Sequence, residues 1–273
     1  MIYLLSCRNR KTGGPVVPAY LEVGIGLGTL DQLRLETRVT VLLHGFNVNR
    51  PEGRQSLLKL ADMLASVSTG SLLAVLWPGD HWLGPLSYSF EGRDADDTAF
   101  ELSRYLNDNL LTGAEISYIA HSLGCRVVME TIKRLASMGR DVGQVCLMAA
   151  AMDDDSLSAP KVYKHAGSQA QRVASLSSKK DKVLRFAYPA GDLLQAFLFW
   201  RDSRGLALGY HGPRKHRRSS TAVPANVLDE RIQKNRKVGH GDYLPDPSPS
   251  QEQQAAVRFA GEVIGGAVSP VYG

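Results

Sequence analysis

The segment Ile116–Val128 constrains the fold more than any other part of the chain. It reads ISYIAHSLGCRVV, so an apolar strand pattern passes through Ala120, Ser122 and Gly124 directly into a helical pattern. A serine at such a strand–turn–helix junction is typical of a sharp, strained turn that exposes the hydroxyl above a sheet. Ala120 stands where the usual pattern has glycine, a change that the turn can accept. The alternative is an ordinary helix start capped by Ser122.

Short aliphatic runs alternate with longer stretches of helical period, which is the pattern of parallel βαβ units. Several runs are apolar throughout, as expected for strands covered on both faces. The predicted strands are Ile2–Ser6, Val39–Leu43, Leu72–Trp77, Glu115–Ile119, Val145–Ala150 and Arg172–Leu176, and the predicted helices are Glu52–Ala65, Asp96–Leu110, Ser122–Leu135 and Gln251–Ile264. The sequence therefore predicts a single α/β domain over residues 1–273, with a mostly parallel sheet and helices on both faces.

Two stretches interrupt this alternation. Residues 79–93 are rich in glycine, proline and aromatic residues, and residues 190–238 begin with the apolar run Leu193–Trp200 before turning basic. Long structureless loops are uncommon in compact domains unless they are functional. Both stretches are therefore expected to be cap-like segments over the strand ends.

Composition sets limits on location and class. The chain is 44% hydrophobic and 22% charged, and no apolar run approaches the roughly 20 residues that span a bilayer. Its start, MIYLLSCRNRK, predicts a strand rather than a secretory signal, because the apolar part is short and the charges follow it. A cytoplasmic location is expected. Three cysteines without a CxxC pair predict neither a disulfide framework nor a zinc site.

The net charge of +5 arises from basic residues at 214–218 and 231–237. Such a patch could meet nucleic acid, an anionic membrane or an acidic substrate. Because aromatic residues do not alternate with the charges, a solvated surface is expected and no nucleic-acid partner is predicted. A set of His211, His216, His240 and Asp242 matches no ligand spacing, so neither a metal nor a cofactor is predicted.

A second apolar strand, Val39–Leu43, ends in His-Gly-Phe-Asn upstream of Ser122. In hydrolases with this kind of turn, the loop after that strand donates one backbone N–H to the oxyanion, and the residue after the serine donates the other. This pattern assigns the two donors to the amides of Phe46 and Leu123. His44 is expected to hold the loop by hydrogen bonds rather than to carry a proton.

In hydrolases with this kind of turn, the chain order is serine, acid and then the histidine that acts as the base. His240 lies in a glycine-flanked loop shortly before the last predicted helix, where this fold keeps its base, and His211 is the next candidate. His165, in a predicted helix, is expected at the surface. His216 is expected to be solvated with the basic run.

A carboxylate must orient that histidine and stabilise its cation. Asp181 follows a predicted strand in a short turn and is the leading candidate. The rivals are Asp153, Asp154 and Asp155, which follow the preceding strand, although three adjacent aspartates could also begin a helix. Asp192 is a more distant alternative.

With these segments together, the chain resembles a lipase- or esterase-type α/β hydrolase, and more narrowly a bacterial branch of hydrolases of unknown function. The resembling segments are Leu4–Arg10, Leu43–Asn47, Leu76–Pro78, Ile119–Gly124 and His240–Leu244. The resemblance implies a carboxylic-ester hydrolase that uses a Ser122–His240–Asp181 triad and no cofactor.

Two alternatives to a simple esterase remain open. A lipase or phospholipase could dock its apolar Leu193–Trp200 run and basic clusters on an anionic membrane surface. A hydrolase-like scaffold could bind partners without catalysis, because fold alone does not establish function. The expected substrate is a small-molecule or lipid-like ester, and the sequence predicts no oligomeric state.

Overall fold

Eight strands form one sheet in the order β2-β1-β4-β3-β5-β6-β7-β8. All neighbouring pairs are parallel except β1 and β2, which are antiparallel. The strands are β1 (Ile2–Arg8), β2 (Val16–Leu21), β3 (Arg38–Leu43), β4 (Ser71–Leu76), β5 (Glu115–His121), β6 (Val142–Met148), β7 (Ala170–Ser177) and β8 (Val227–Arg231). The computed structural model describes residues 1–9, 14–79, 88–161, 163–187, 206–216 and 222–272, and only the backbone of residues 88–92, 186 and 187.

Helices connect the strands and cover both faces of the sheet. They are α1 (Leu30–Leu33), α2 (Arg50–Leu64), α3 (Tyr88–Asn109), α4 (Gly124–Ser137), α5 (Lys164–Gln169), α6 (Leu208–His211) and α7 (Gln251–Ile264), with a π-helical turn at Val183–Ala187. Buried residues of α3, α4 and α5 share one core cluster, and those of α2 and α7 share the other. Two helical layers therefore enclose the sheet.

The period of two along each strand explains why both faces are apolar. Tyr3 and Leu5 lie in the core under α3 and α4, whereas Leu4 lies in the core under α2 and α7. Leu43 and Leu42 divide in the same way. Successive strand side chains point to opposite faces, so a strand covered on both sides must be apolar throughout.

The predicted α/β-hydrolase fold is confirmed, and the six predicted strands and four predicted helices are all present. Their ends lie within a few residues of the predicted ones, except that α3 begins at Tyr88, eight residues before the predicted Asp96. The sequence analysis missed β2 and β8, the two edge strands. Both are short and half-exposed; β2 contains Pro18, and β8 reads VLDER. Edge strands bury less surface than central ones, and proline and charge suit such positions.

The predicted cap-like segments at 79–93 and 190–238 need a partial correction. Residues 88–93 form the first turns of α3, and the second segment includes α6 and the sheet strand β8. These parts belong to the helical layer and the sheet. The remainder, including the apolar run Leu193–Trp200, lies mostly outside the described residues, where the cap stays a prediction.

In the part of the chain that the structure describes, no helix has the length and apolar character needed to cross a membrane.

Candidate active site

Ser122 occupies the turn between β5 and α4 with a left-handed backbone, φ 53°. This region is uncommon for a residue with a side chain and stores strain. The turn is held from both sides of the peptide, because the Ser122 N–H donates to the carbonyl of Met148 at 3.0 Å and the Ser122 carbonyl accepts from the N–H of Ala151 at 3.1 Å. The end of β6 therefore fixes the serine above the sheet.

Small residues around Ser122 are a steric requirement. A Cβ on Gly124 would lie 2.4 Å from the carbonyl oxygen of His44, and a Cβ on Gly45 would lie 2.8 Å from Ser122 Cβ. Ala120, which replaces the usual glycine, is fully buried in the core between Leu43 and Leu147 of the neighbouring strands. The sheet thus accommodates a methyl group at that position.

His240 brings the predicted base and acid together with the serine. Its Nε2 lies 2.8 Å from Ser122 Oγ, and its Nδ1 lies 2.7 Å from Asp181 Oδ2. Because the carboxylate can only accept, Nδ1 carries the proton and Nε2 is free to accept the serine O–H. The three side chains form one hydrogen-bonded series across 118 residues of sequence.

Asp181 is fully buried just after β7. Its second oxygen accepts the backbone N–H of Leu184 at 2.9 Å, so both oxygens have donors. In the same loop, Ser178 Oγ donates to the carbonyl of Val238 at 2.8 Å. That bond ties the loop of the acid to the loop of His240.

The rival aspartates have other partners. Asp154 lies 3.4 Å from Arg214 Nε, and Lys161 Nζ lies 3.8 Å from Asp155 and 3.9 Å from Asp153. Burial raises the pKa of Asp154 to about 6. Of the five candidates, Asp192 lies outside the described residues, and among the other four the structure brings Asp181 to His240.

The rival histidines also lie elsewhere. His211 Nδ1 is within hydrogen-bond distance of Lys179 Nζ and Arg214, at 3.1 and 2.8 Å. His165 is exposed on α5, as expected. The expectation that His216 is solvated is wrong: it is only 8% exposed, and its Nε2 lies 3.7 Å from Asp155.

His44 holds the loop after β3, as the sequence predicts. It is fully buried, its Nδ1 donates to the carbonyl of Gly45 at 2.9 Å, and its Nε2 accepts from the Trp77 N–H at 3.4 Å. The Trp77 indole N–H donates to the His44 carbonyl at 2.9 Å. Burial lowers the pKa of His44 to about 4, with a further contribution from Arg8, so the ring stays neutral at pH 7.

The amides of Phe46 and Leu123 were predicted as oxyanion donors. Leu123 is the N-cap of α4, where the first N–H groups of a helix have no partner within it. Phe46 follows Gly45, which packs directly against Ser122. Both residues therefore adjoin the serine, and their role as donors stays a prediction.

His121 is a site residue to which the sequence analysis gave no role. It is 7% exposed, and its Nε2–H donates to the backbone carbonyl of His240 at 2.8 Å. Its ring stacks on Tyr243, with ring centres 5.7 Å apart. Burial and the neighbouring His240 hold the pKa of His121 well below its ordinary value. The only sequence signal was its place immediately before Ser122.

The described residues contain no group of three or more histidine, cysteine, aspartate or glutamate side chains that could hold a metal ion. The arrangement that they do contain places a hydroxyl, an imidazole and a buried carboxylate in series. Such a series can remove the hydroxyl proton and stabilise the resulting imidazolium.

The sheet topology and the sharp turn at Ser122 define an α/β hydrolase. The chain belongs to the family described as "Alpha/beta hydrolase of unknown function (DUF900)", whose model matches residues 30–192, more than half of the chain.

Several solved structures are similar to this chain at low identity. Two are of an esterase from the archaeon Pyrobaculum calidifontis. The first is 16% identical, covers 85% of this chain and 78% of the esterase chain, and gives a TM-score of 0.42. The second is 15% identical, covers 84% of this chain and 75% of the esterase chain, and gives a TM-score of 0.44. Carboxyl esterase 2 from the fungus Tuber melanosporum has 14% identity, 87% and 80% coverage and a TM-score of 0.41. A search among curated proteins finds no match.

Proposed function

We propose that this chain is a serine hydrolase that cleaves carboxylic esters through an acyl-enzyme intermediate. The observation that supports this best is the hydrogen-bonded series in which His240 Nε2 lies 2.8 Å from Ser122 Oγ and His240 Nδ1 lies 2.7 Å from Asp181. A serine hydroxyl is a weak nucleophile until an adjacent base takes its proton, and 2.8 Å is within the reach of that transfer.

In the proposed reaction, Ser122 Oγ attacks the carbonyl carbon while its proton passes to His240 Nε2. The buried carboxylate of Asp181 stabilises the imidazolium that forms. The amides of Phe46 and Leu123 donate hydrogen bonds to the oxyanion of the tetrahedral intermediate. His240 then gives its proton to the alkoxide leaving group, and the acyl group stays on Ser122.

Deacylation repeats these steps with water as the nucleophile. His240 takes a proton from water, the hydroxide adds to the acyl carbonyl, and the proton returns to Ser122 Oγ as the carboxylic acid leaves. The buried imidazole of His121 would keep the backbone of His240 in place throughout, because its hydrogen bond goes to that carbonyl.

Labelling with a fluorophosphonate probe, followed by kinetics on p-nitrophenyl esters of increasing acyl length, tests the proposal. Ser122→Ala is expected to abolish labelling and to lower kcat by at least about 10⁴-fold, because the nucleophile is gone. Ser137→Ala is the matched control: that serine is exposed at the end of α4 and is expected to keep full activity.

Labelling that persists in Ser122→Ala would refute the assignment of the nucleophile. No labelling and no hydrolysis in the unmodified chain would favour the non-catalytic scaffold. The surface-active lipase alternative rested on Leu193–Trp200, which lies outside the described residues. Repeating the ester panel with anionic vesicles distinguishes a surface-active lipase from a simple esterase, since an interfacial enzyme gains activity on the vesicles.

A further inference from the structure

A group of cationic side chains lies beside the loop that carries Asp181. Lys179 follows β7, His211 ends α6, and Arg214 follows α6; these three residues are named the Lys179 cluster. The sequence analysis placed Arg214 in a solvated basic run; the structure shows it exposed and places it beside a histidine and a second cation. The proposed reaction uses none of the three.

The hydrogen bonds of the cluster determine the proton position on His211. Lys179 Nζ and Arg214 both donate toward His211 Nδ1, at 3.1 and 2.8 Å. Nδ1 can accept only without a proton, so the neutral ring carries its proton on Nε2. Burial, together with Lys179 and Arg214, lowers the pKa of His211 to about 4 and keeps the ring in that form at pH 7. The cluster therefore holds an ammonium, a guanidinium and an N–H donor.

Positive charge around the cluster exceeds the negative charge that the described residues supply. Burial lowers the pKa of Lys179, and the positive charges of Arg214, Arg231 and Lys234 lower it further. Asp154 pairs with Arg214, and Asp229 pairs with Arg231. Neighbouring cations that are only partly neutralised form a field that favours an anion.

The cluster is tied to the proposed active site through the backbone of α6. The Ser178 N–H, three residues before Asp181, donates to the Gly209 carbonyl at 3.0 Å, and the Gly209 N–H donates to Ala150 at 2.9 Å. The next residue, Ala151, donates to the Ser122 carbonyl. These bonds and the Cα spacing of a trans chain keep the Cα atoms of His211 and Ser122 within about 25 Å.

All of these contacts lie at the carboxyl ends of β6 and β7. Ligands of open α/β sheets bind at that edge. We propose that the Lys179 cluster binds an anionic group of the ester substrate. This group is a carboxylate or a phosphate and is separate from the ester bond that Ser122 attacks. A guanidinium and an ammonium beside an N–H donor suit the oxygens of such a group. This inference rests on the proposed function, because the ligand is a substrate of that reaction.

Matched pairs of esters test the proposal. The p-nitrophenyl esters of one acyl chain ending in a carboxylate, in its methyl ester or in a phosphate are compared by kcat/KM. The anionic esters are expected to be preferred over the methyl ester, and Lys179→Gln is expected to lower that preference by about 10-fold or more, since a lost hydrogen bond to a charged group has an effect of this size. The carboxylate and phosphate arms identify the anion.

Lys164→Gln is the matched control, because Lys164 is an exposed lysine in the first turn of α5 and is not a member of the Lys179 cluster. Its preference is expected to equal that of the unmodified chain. Arg214→Lys, which keeps the charge but loses the guanidinium fork, is expected to fall between Lys179→Gln and the unmodified chain. No preference for anionic esters, or a preference that Lys179→Gln leaves intact, would overturn the proposal.

A binding measurement separates this inference from the proposed function. Inorganic phosphate and glutarate are titrated calorimetrically into Ser122→Ala, with and without Lys179→Gln. Saturable binding that Lys179→Gln weakens about 10-fold supports the anion site even if no ester is hydrolysed. Absence of binding, or equal binding by both variants, contradicts it.

Discussion

Asp181 and its neighbours allow the proposed relay to be tested one carboxylate at a time. Asp181→Asn keeps the size of the side chain but removes the charge that would stabilise the His240 imidazolium. We expect kcat to fall by roughly 10⁴-fold, with KM nearly unchanged, because the loss is confined to the transition state. Steady-state kinetics on a short-chain ester measures both quantities.

Asp155→Asn is the matched control for that experiment. Asp155 was one of the rival acids, and its carboxylate lies 3.8 Å from Lys161. The variant is expected to retain its kcat. The reverse outcome, an active Asp181→Asn and an inactive Asp155→Asn, would move the acid to the loop after β6.

The loop after β3 is the element whose position controls the proposed oxyanion donors. In Gly45→Ala the added methyl would lie 2.8 Å from Ser122 Cβ and 2.9 Å from His121 Nδ1, so the loop has to move. A shift of this order is expected to lower kcat/KM by about 100-fold. Ester kinetics and thermal unfolding are measured on the same sample.

Gly113→Ala is the control for the added methyl, because a Cβ at Gly113 meets no atom within 4 Å. It is expected to keep its activity. If Gly45→Ala hydrolyses esters as fast as the unmodified chain, the loop does not position the reacting groups.

For the whole molecule, histidines with lowered pKa values predict a fall in stability toward acid pH. His44, His121 and His211 have folded-state pKa values below 6.5, about 4 for His44 and His211, so the unfolded chain binds more protons between pH 6.5 and 4. The free energy of unfolding therefore decreases as the pH falls through this window, by on the order of 3 kcal/mol for His44. Asp154, whose folded pKa is about 6, acts in the opposite direction and reduces the sum.

Urea unfolding at pH 7, 5.5 and 4.5 measures this dependence. His44→Gln is expected to flatten the curve, while His165→Gln, which changes an exposed histidine, is expected to leave it as it is. A free energy of unfolding that stays constant or rises as the pH falls would contradict the role of the buried rings.

The central strands and the order of the site residues along the chain could be predicted from the sequence, because short segments determine both. Val39–Leu43 is apolar except for Thr40 and supplies both cores, and Ser122, Asp181 and His240 follow in the order that the fold requires. The edge strand β8 carried no such signal, since three of its five residues are charged.

Contacts between loops could not be predicted from the sequence. The hydrogen bond from His121 to His240 spans 119 residues, and the one between Lys179 and His211 spans 32. Such pairs depend on how loops meet above the sheet, and no local pattern of residue types encodes that meeting.

The hydrogen-bonded series at Ser122 also has a consequence for the synthesis of the protein. Its members come from the loops after β5, after β7 and before α7, so the last of them is synthesised long after the first. A growing chain on the ribosome exposes the serine without its base. The proposed activity therefore switches on only when the final loop has docked, and an unfinished or truncated chain would be chemically silent.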